Sequence, residues 1–116
     1  MSLLLAILPA APAISAETSN GPACRAAITY AHETNREATV RVEENRLREA
    51  ADLNQSTLDR IRQALAVCPG QVHDLLDRAT SLVRTAHYVN SQGMSGALPA
   101  QNEAGWTLQE AHRKVG

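Results

Sequence analysis

Val42-Glu43-Glu44-Asn45-Arg46-Leu47 decides how this 116-residue chain folds. Upstream of it, apolar or small residues recur at Cys24, Ile28, Ala31, Ala38 and Val42, with Asn35 filling one slot. Downstream they recur at Leu47, Ala51, Leu58, Ile61, Leu65 and Cys68, with Asn54 filling one slot. Steps of three and four mark one face of a helix. Val42 to Leu47 is a step of five across four polar residues, so the stripe jumps around the helix. One straight helix could not bury both stripes against one partner. The phase break predicts a turn at residues 44–46 between two antiparallel helices.

The cysteines point the same way. In an antiparallel hairpin, level residues are equidistant from the turn, and residue 46 lies midway between Cys24 and Cys68. The two would then meet within the roughly 4.4–6.8 Å Cα separation that a disulfide requires. Two other readings stay open. Ser56-Thr57-Leu58-Asp59 has the form of a capping box. A helix starting there would move the turn to residues 52–55 and leave the cysteines roughly 25 Å apart. Alternatively, residues 22–67 form one unbroken helix with cysteines pairing between chains, since Glu, Arg and Ala favour helix and the turn holds no glycine.

Asn20-Gly21-Pro22 reads as the start of the first helix, because proline is tolerated at the first helical position. Pro69-Gly70 is the clearest break. A third helix follows, with a wide stripe of Val72, Leu75, Leu76, Ala79, Leu82, Val83 and Ala86, and Asn90-Ser91-Gln92-Gly93 ends it. Residues 93–116 read as a flexible linker containing Gly96, Pro99 and Gln101-Asn102, then a short, weakly docked helix. Thr107-Leu108-Gln109-Glu110 would cap that helix and Trp106 would staple it. The fold class is therefore all-α: residues 17–92 form a helical hairpin with a third helix packed across it and one disulfide.

Residues 1–16 carry a different signal. Leu3-Leu4-Leu5-Ala6-Ile7-Leu8 is a short apolar core, followed by Pro9, Pro12 and small residues. That is the layout of a secretory signal peptide, although the basic start is missing. The apolar run is far shorter than the roughly 20 residues a membrane-spanning helix needs. Export would place the cysteines in an oxidising compartment, periplasmic or extracellular, where a staple forms readily. The chain lacks Phe, and aromatics are 3% of it, so the core must be built from small aliphatic residues. Eleven Lys plus Arg against twelve Asp plus Glu leave a net charge of −1, which argues against nucleic acid or an acidic lipid surface as the partner.

No catalytic motif is legible. Cys-x-x-Cys, Gly-x-Ser-x-Gly, His-Glu-x-x-His and phosphate-cradling glycine loops are absent from the sequence. His73 and Asp77 share a helix face and are the nearest candidates for metal, but zinc takes three or four protein ligands, so no metal site or cofactor is expected. His73, Asp77 and Ser81 cannot form a triad, because Ser81 lies roughly 12 Å along the axis from His73. Glu37–Arg41, Glu44–Arg48, Asp74–Arg78 and Glu110–Lys114 have the spacing and order of exposed helical ion pairs. Asn35 and Asn54 read first as residues exposed at a stripe edge, and alternatively as buried polar groups that fix register.

The function expected from these features is non-enzymatic: an exported helical module that binds another protein, as an inhibitor, immunity-type or adaptor module. The alternative is a membrane-tethered coiled-coil subunit of an envelope or lysis complex, which requires residues 1–16 to be retained. A metal-binding periplasmic protein using His73 and Asp77 ranks behind both.

Overall fold

A computed structural model describes residues 10–115 of the chain, with side chains over residues 20–115. Residues 1–9, which carry most of the expected signal segment, lie outside the described residues. The described residues form four α-helices: α1 (Ala10–Glu43), α2 (Leu47–Val67), α3 (His73–Ser91) and α4 (Leu98–Val115), with a 3-10 turn at Gly70–Val72. Helix α1 packs on α2 and α4, and α3 packs on α2 and α4, closing a square of neighbours. Short connections between successive helices give an up-down-up-down bundle.

The turn falls at residues 44–46, as the phase break predicts, so both the later turn and the unbroken helix are excluded. Its chemistry is a Schellman motif. The Arg46 N–H reaches back to the Arg41 carbonyl at 2.8 Å, and the Asn45 N–H to the Val42 carbonyl at 2.9 Å. Asn45 takes the left-handed conformation (φ 60°) that the motif needs. Asparagine tolerates that region better than other side-chain-bearing residues, so the turn forms without glycine. Helix α3 ends in the same motif, with Gly93 (φ 68°) in the left-handed position and Met94 N–H on the Val89 carbonyl at 3.1 Å. Between α2 and α3, Cys68 is extended (φ −90°, ψ 150°). That is the conformation favoured before proline.

Each helix buries residues at alternating steps of four and three. The buried set at these steps is Cys24, Ile28, Ala31, Asn35 and Ala38 on α1, and Ala50, Asn54, Thr57, Ile61, Ala64 and Cys68 along α2. It is Val72, Leu76, Ala79, Val83, Ala86 and Asn90 along α3, and Ala97, Gln101, Ala104, Leu108 and Ala111 along α4. This is the a/d spacing of knobs-into-holes packing. The many alanines bring the helices close, and Ile28, Ile61, Leu76 and Leu108 are the bulkiest fully buried side chains. Leu58 and Leu65 are only partly buried and pack on the core from its edge. The α2 stripe is thus rotated towards Ala50, Thr57 and Ala64, small residues that a hydrophobicity reading passes over.

Four further expectations are corrected. The start at Pro22 is not a start: α1 continues N-terminally through it to Ala10. Proline's fixed φ lies in the helical range, but inside a helix it removes its own N–H from the hydrogen-bond ladder. The flexible linker expected from Met94 to Ala104 is a loop only to Ala97, and α4 then runs as an 18-residue helix packed on both α1 and α3. Pro99 sits in the first turn of α4, where a missing N–H costs little. Neither capping box is used, since Ser56 and Thr107 both lie inside helices, and the Thr107 hydroxyl donates to the Glu103 carbonyl. Trp106 is 68% exposed and staples nothing.

The ion pairs also differ from the spacing rule. Arg41 pairs with Glu44 at 2.8 Å, because the turn folds Glu44 back beside it. Arg46 pairs with Glu44 and Glu49, Arg78 crosses to Glu103 on α4, and Arg113 pairs with Glu110. All are surface pairs of small energetic value.

Candidate functional site: the seam between the first and last helices

Cys24 and Cys68 are bonded to each other, with Cα atoms 4.7 Å apart. The bridge ties α1 to the end of α2 and encloses the turn. Cys24 is fully buried and Cys68 is 8% exposed, so this bond is a staple inside the core.

At the other end of the core, each helix contributes one amide. Gln101 Nε2 donates to Asn35 Oδ1 at 2.9 Å, and Asn35 Nδ2 donates to the Gln101 carbonyl at 3.0 Å. Asn54 Nδ2 donates to Gln101 Oε1 at 2.7 Å, and Asn90 Nδ2 donates to Asn54 Oδ1 at 2.8 Å. All four side chains are at most 2% exposed, which overturns the edge-exposure reading of Asn35 and Asn54. Amides neither gain nor lose protons at neutral pH, so this layer does no acid-base chemistry. A buried polar group at a core slot fixes which helix meets which, and at what height.

Asn90 and Gln101 were not expected in this layer. The signal that could have found them is spacing. Asn90 lies four residues after Ala86, and Gln101 lies four after Ala97 and three before Ala104. Read by composition, both belonged to a helix stop and a linker.

The candidate metal pair, His73 and Asp77, lies near the start of α3. A ring nitrogen of His73 lies 3.0 Å from the Cys68 carbonyl, while Asp77 lines a groove between α2 and α3. That groove encloses about 610 Å³, with Leu58 and Leu65 at its apolar side and Arg62, Arg84 and His87 among its polar residues. Among the described residues, no group of three or more His, Cys, Asp or Glu side chains is placed to hold a metal ion. No described helix is long and apolar enough to cross a membrane.

The surface draws attention for a different reason. The chain has one Trp and two Tyr, and none of them enters the core. Tyr30 is 49% exposed, Tyr88 61% and Trp106 68%. Tyr30 is held by α2: the Arg60 guanidinium lies 4.1 Å from its ring centre and donates to its hydroxyl at 2.8 Å. Trp106 stands on the seam between α1 and α4, beside a depression of about 240 Å³ that His32, Arg36 and Gln109 also line. A second depression of about 200 Å³ adjoins it, shares His32 and Gln109, and includes Ile28, Leu108 and His112. Burial lowers the pKa of His32 below its usual 6.5, and the charges of Arg36 and His112 add to this while Glu33 opposes it. The seam therefore combines one exposed indole, an imidazole biased towards its neutral form and an apolar floor.

Comparison with known proteins finds no matching family model, no similar curated protein and no similar solved structure.

Proposed function

We propose that this protein is an exported, disulfide-stapled four-helix module that acts without catalysis, by presenting the α1–α4 face to another protein as an inhibitor, immunity-type or adaptor module. One observation carries the reading: every aromatic side chain in the chain lies on the surface, and the largest, Trp106, is the most exposed of them. Large aromatic side chains gain most from burial, so a fold that builds its core from alanine and leaves its indole in water has left that gain for an interface. Trp and Tyr are the residues enriched at the centres of protein–protein contacts. Export is supported by the layout of residues 1–16 and by the Cys24–Cys68 bond, which is stable in oxidising compartments.

The test is site-specific photo-crosslinking in the producing cell. A photoreactive residue at Gln109, beside Trp106, should give a discrete adduct that disappears with Trp106→Ala, while the same residue at Asp59 on α2 gives none. Equal yields at both positions, or an adduct indifferent to Trp106→Ala, would sink the reading.

The continuity of α1 from Ala10 across residue 16 favours a second reading, a membrane-tethered subunit that retains its N-terminus. The mass of the exported protein separates the two. Loss of about 16 residues supports a free module, and an intact N-terminus supports the tether.

A further inference from the structure

We infer that the partner of the α1–α4 seam is a protein segment rich in Asp and Glu, which sets carboxylates against Arg36 and Arg25 and an apolar residue against Trp106. This names the chemistry of the partner and rests on the reading of that face as a docking surface.

The seam is built by one rule on both helices. On α1, Arg25, Thr29, His32 and Arg36 each follow a buried residue: Cys24, Ile28, Ala31 and Asn35. On α4, Asn102, Gly105, Gln109 and His112 follow Gln101, Ala104, Leu108 and Ala111 in the same way. One residue is about 100° of helical turn, so each set forms a stripe beside the core face. The Asn35–Gln101 hydrogen bonds at 2.9 and 3.0 Å dock the two helices. The stripes then meet: His32 and Arg36 share one depression with Asn102, Trp106 and Gln109, and Thr29 and His32 share the next with Gln109 and His112.

Neither stripe contains a carboxylate. The acids of these helices are placed elsewhere. Glu37 lies two turns from Tyr30, which Arg60 of α2 holds. Glu103 is turned to Arg78 of α3 at 2.5 Å, and Glu110 is paired with Arg113. Glu43 ends α1 about two turns beyond Arg36. Arg41, Arg46, Arg62, Arg78 and Arg113 each have an acidic partner, whereas among the described residues neither Arg25 nor Arg36 has one within ion-pair distance. A chain of net charge −1 thus gathers unpaired positive charge beside its only tryptophan.

Guanidinium groups bind carboxylates through two parallel hydrogen bonds, and Arg and Trp are the residues enriched at the centres of protein contacts. Two arginines on a chain with no basic excess suit a few carboxylates, not a nucleic-acid backbone, whose binding draws on an extended basic field.

The test uses the full chain in the producing cell, with the photoreactive residue at Gln109. Arg25→Glu with Arg36→Glu should reduce the Trp106-dependent adduct at least about tenfold, because like charges facing one another across a contact oppose it. Arg25→Lys with Arg36→Lys should retain more of the adduct than the reversal does. Arg62→Glu with Arg84→Glu, the same change of net charge made in the α2–α3 groove, should leave it unchanged. Circular dichroism identifies folded variants, and Arg36→Glu alone decides should the double reversal fail to fold. The cross-linked segment, identified by mass spectrometry, should carry more Asp plus Glu than Lys plus Arg. A Trp106-dependent adduct that survives the reversal, or one formed with a basic segment, a lipid or a nucleic acid, overturns the acidic partner. Absence of any Trp106-dependent adduct removes the docking surface itself, and this inference with it.

Discussion

Asn54 and Gln101 stand on diagonally opposed helices, yet their side chains meet at 2.7 Å through the middle of the bundle. Gln101 Oε1 also accepts from Asn90 at 3.3 Å, while its Nε2 serves Asn35 at 2.9 Å and Thr39 at 3.4 Å. One glutamine therefore touches all three other helices. Replacing it with leucine strands Asn35 Oδ1 and Asn54 Nδ2 away from water. A buried group left without a partner costs about 1–3 kcal/mol. Gln101→Leu should lower the unfolding free energy by about 3 kcal/mol in urea denaturation, despite adding apolar surface. A change below about 0.5 kcal/mol would mean that the amides relax freely and do not hold the bundle in register.

The disulfide ties the opposite end. It closes a loop with a sequence separation of 44 residues, so in the chain-entropy picture its removal destabilises the fold by about 4 kcal/mol. Cys24→Ser with Cys68→Ser should show this loss by chemical denaturation. Because both sulfurs are buried, dithiothreitol should reduce the native protein slowly and denaturant should accelerate the reaction. Rapid reduction in the absence of denaturant would place the bond in an opening segment and weaken its role as the core staple.

Asn45 makes a sharper case, because its contribution is backbone conformation alone. At φ 60°, glycine is tolerated as well as asparagine, whereas a β-branched residue is strained. Asn45→Gly should leave the thermal midpoint almost unchanged, and Asn45→Val should cost about 1–2 kcal/mol. If both variants behaved alike, the Schellman geometry at residues 44–46 would not be what ends α1.

The hairpin was legible because two independent signals coincided: the five-residue step from Val42 to Leu47, and cysteines placed symmetrically about residue 46. Helix α4 was hidden for the opposite reason. Its core face is Ala97, Gln101, Ala104, Leu108 and Ala111, which contains one large apolar residue, and Pro99 and Gly105 lie among them. Apolar periodicity registers large side chains, but in this bundle the interior slots are filled by alanine, threonine and amides. The same blindness assigned Asn35 and Asn54 to the surface, since an amide inside a core is stable only when distant residues supply its partners. Asn35 finds its partner 66 residues away. No local window contains that information. The His32–His112 seam was invisible likewise, because it needs α4 to be docked on α1 before the two rings share a space.

That docking gives the bundle a pH dependence. Burial first, then the positive charge of Arg36, hold the His32 pKa below 6.5, with His112 adding to the shift and Glu33 opposing it. The native protein therefore binds the His32 proton more weakly than the unfolded chain does. Between 6.5 and the lower native value, the unfolded state carries more protons, so stability from this residue is complete above 6.5 and declines as the pH falls through that window. The thermal midpoint should drop between about pH 7.5 and about pH 5.5, and His32→Gln, which cannot ionise, should show a smaller drop over the same interval. An unchanged slope in His32→Gln would mean that the ring is as easily protonated against α4 as in free chain, and that the seam opens to water around it.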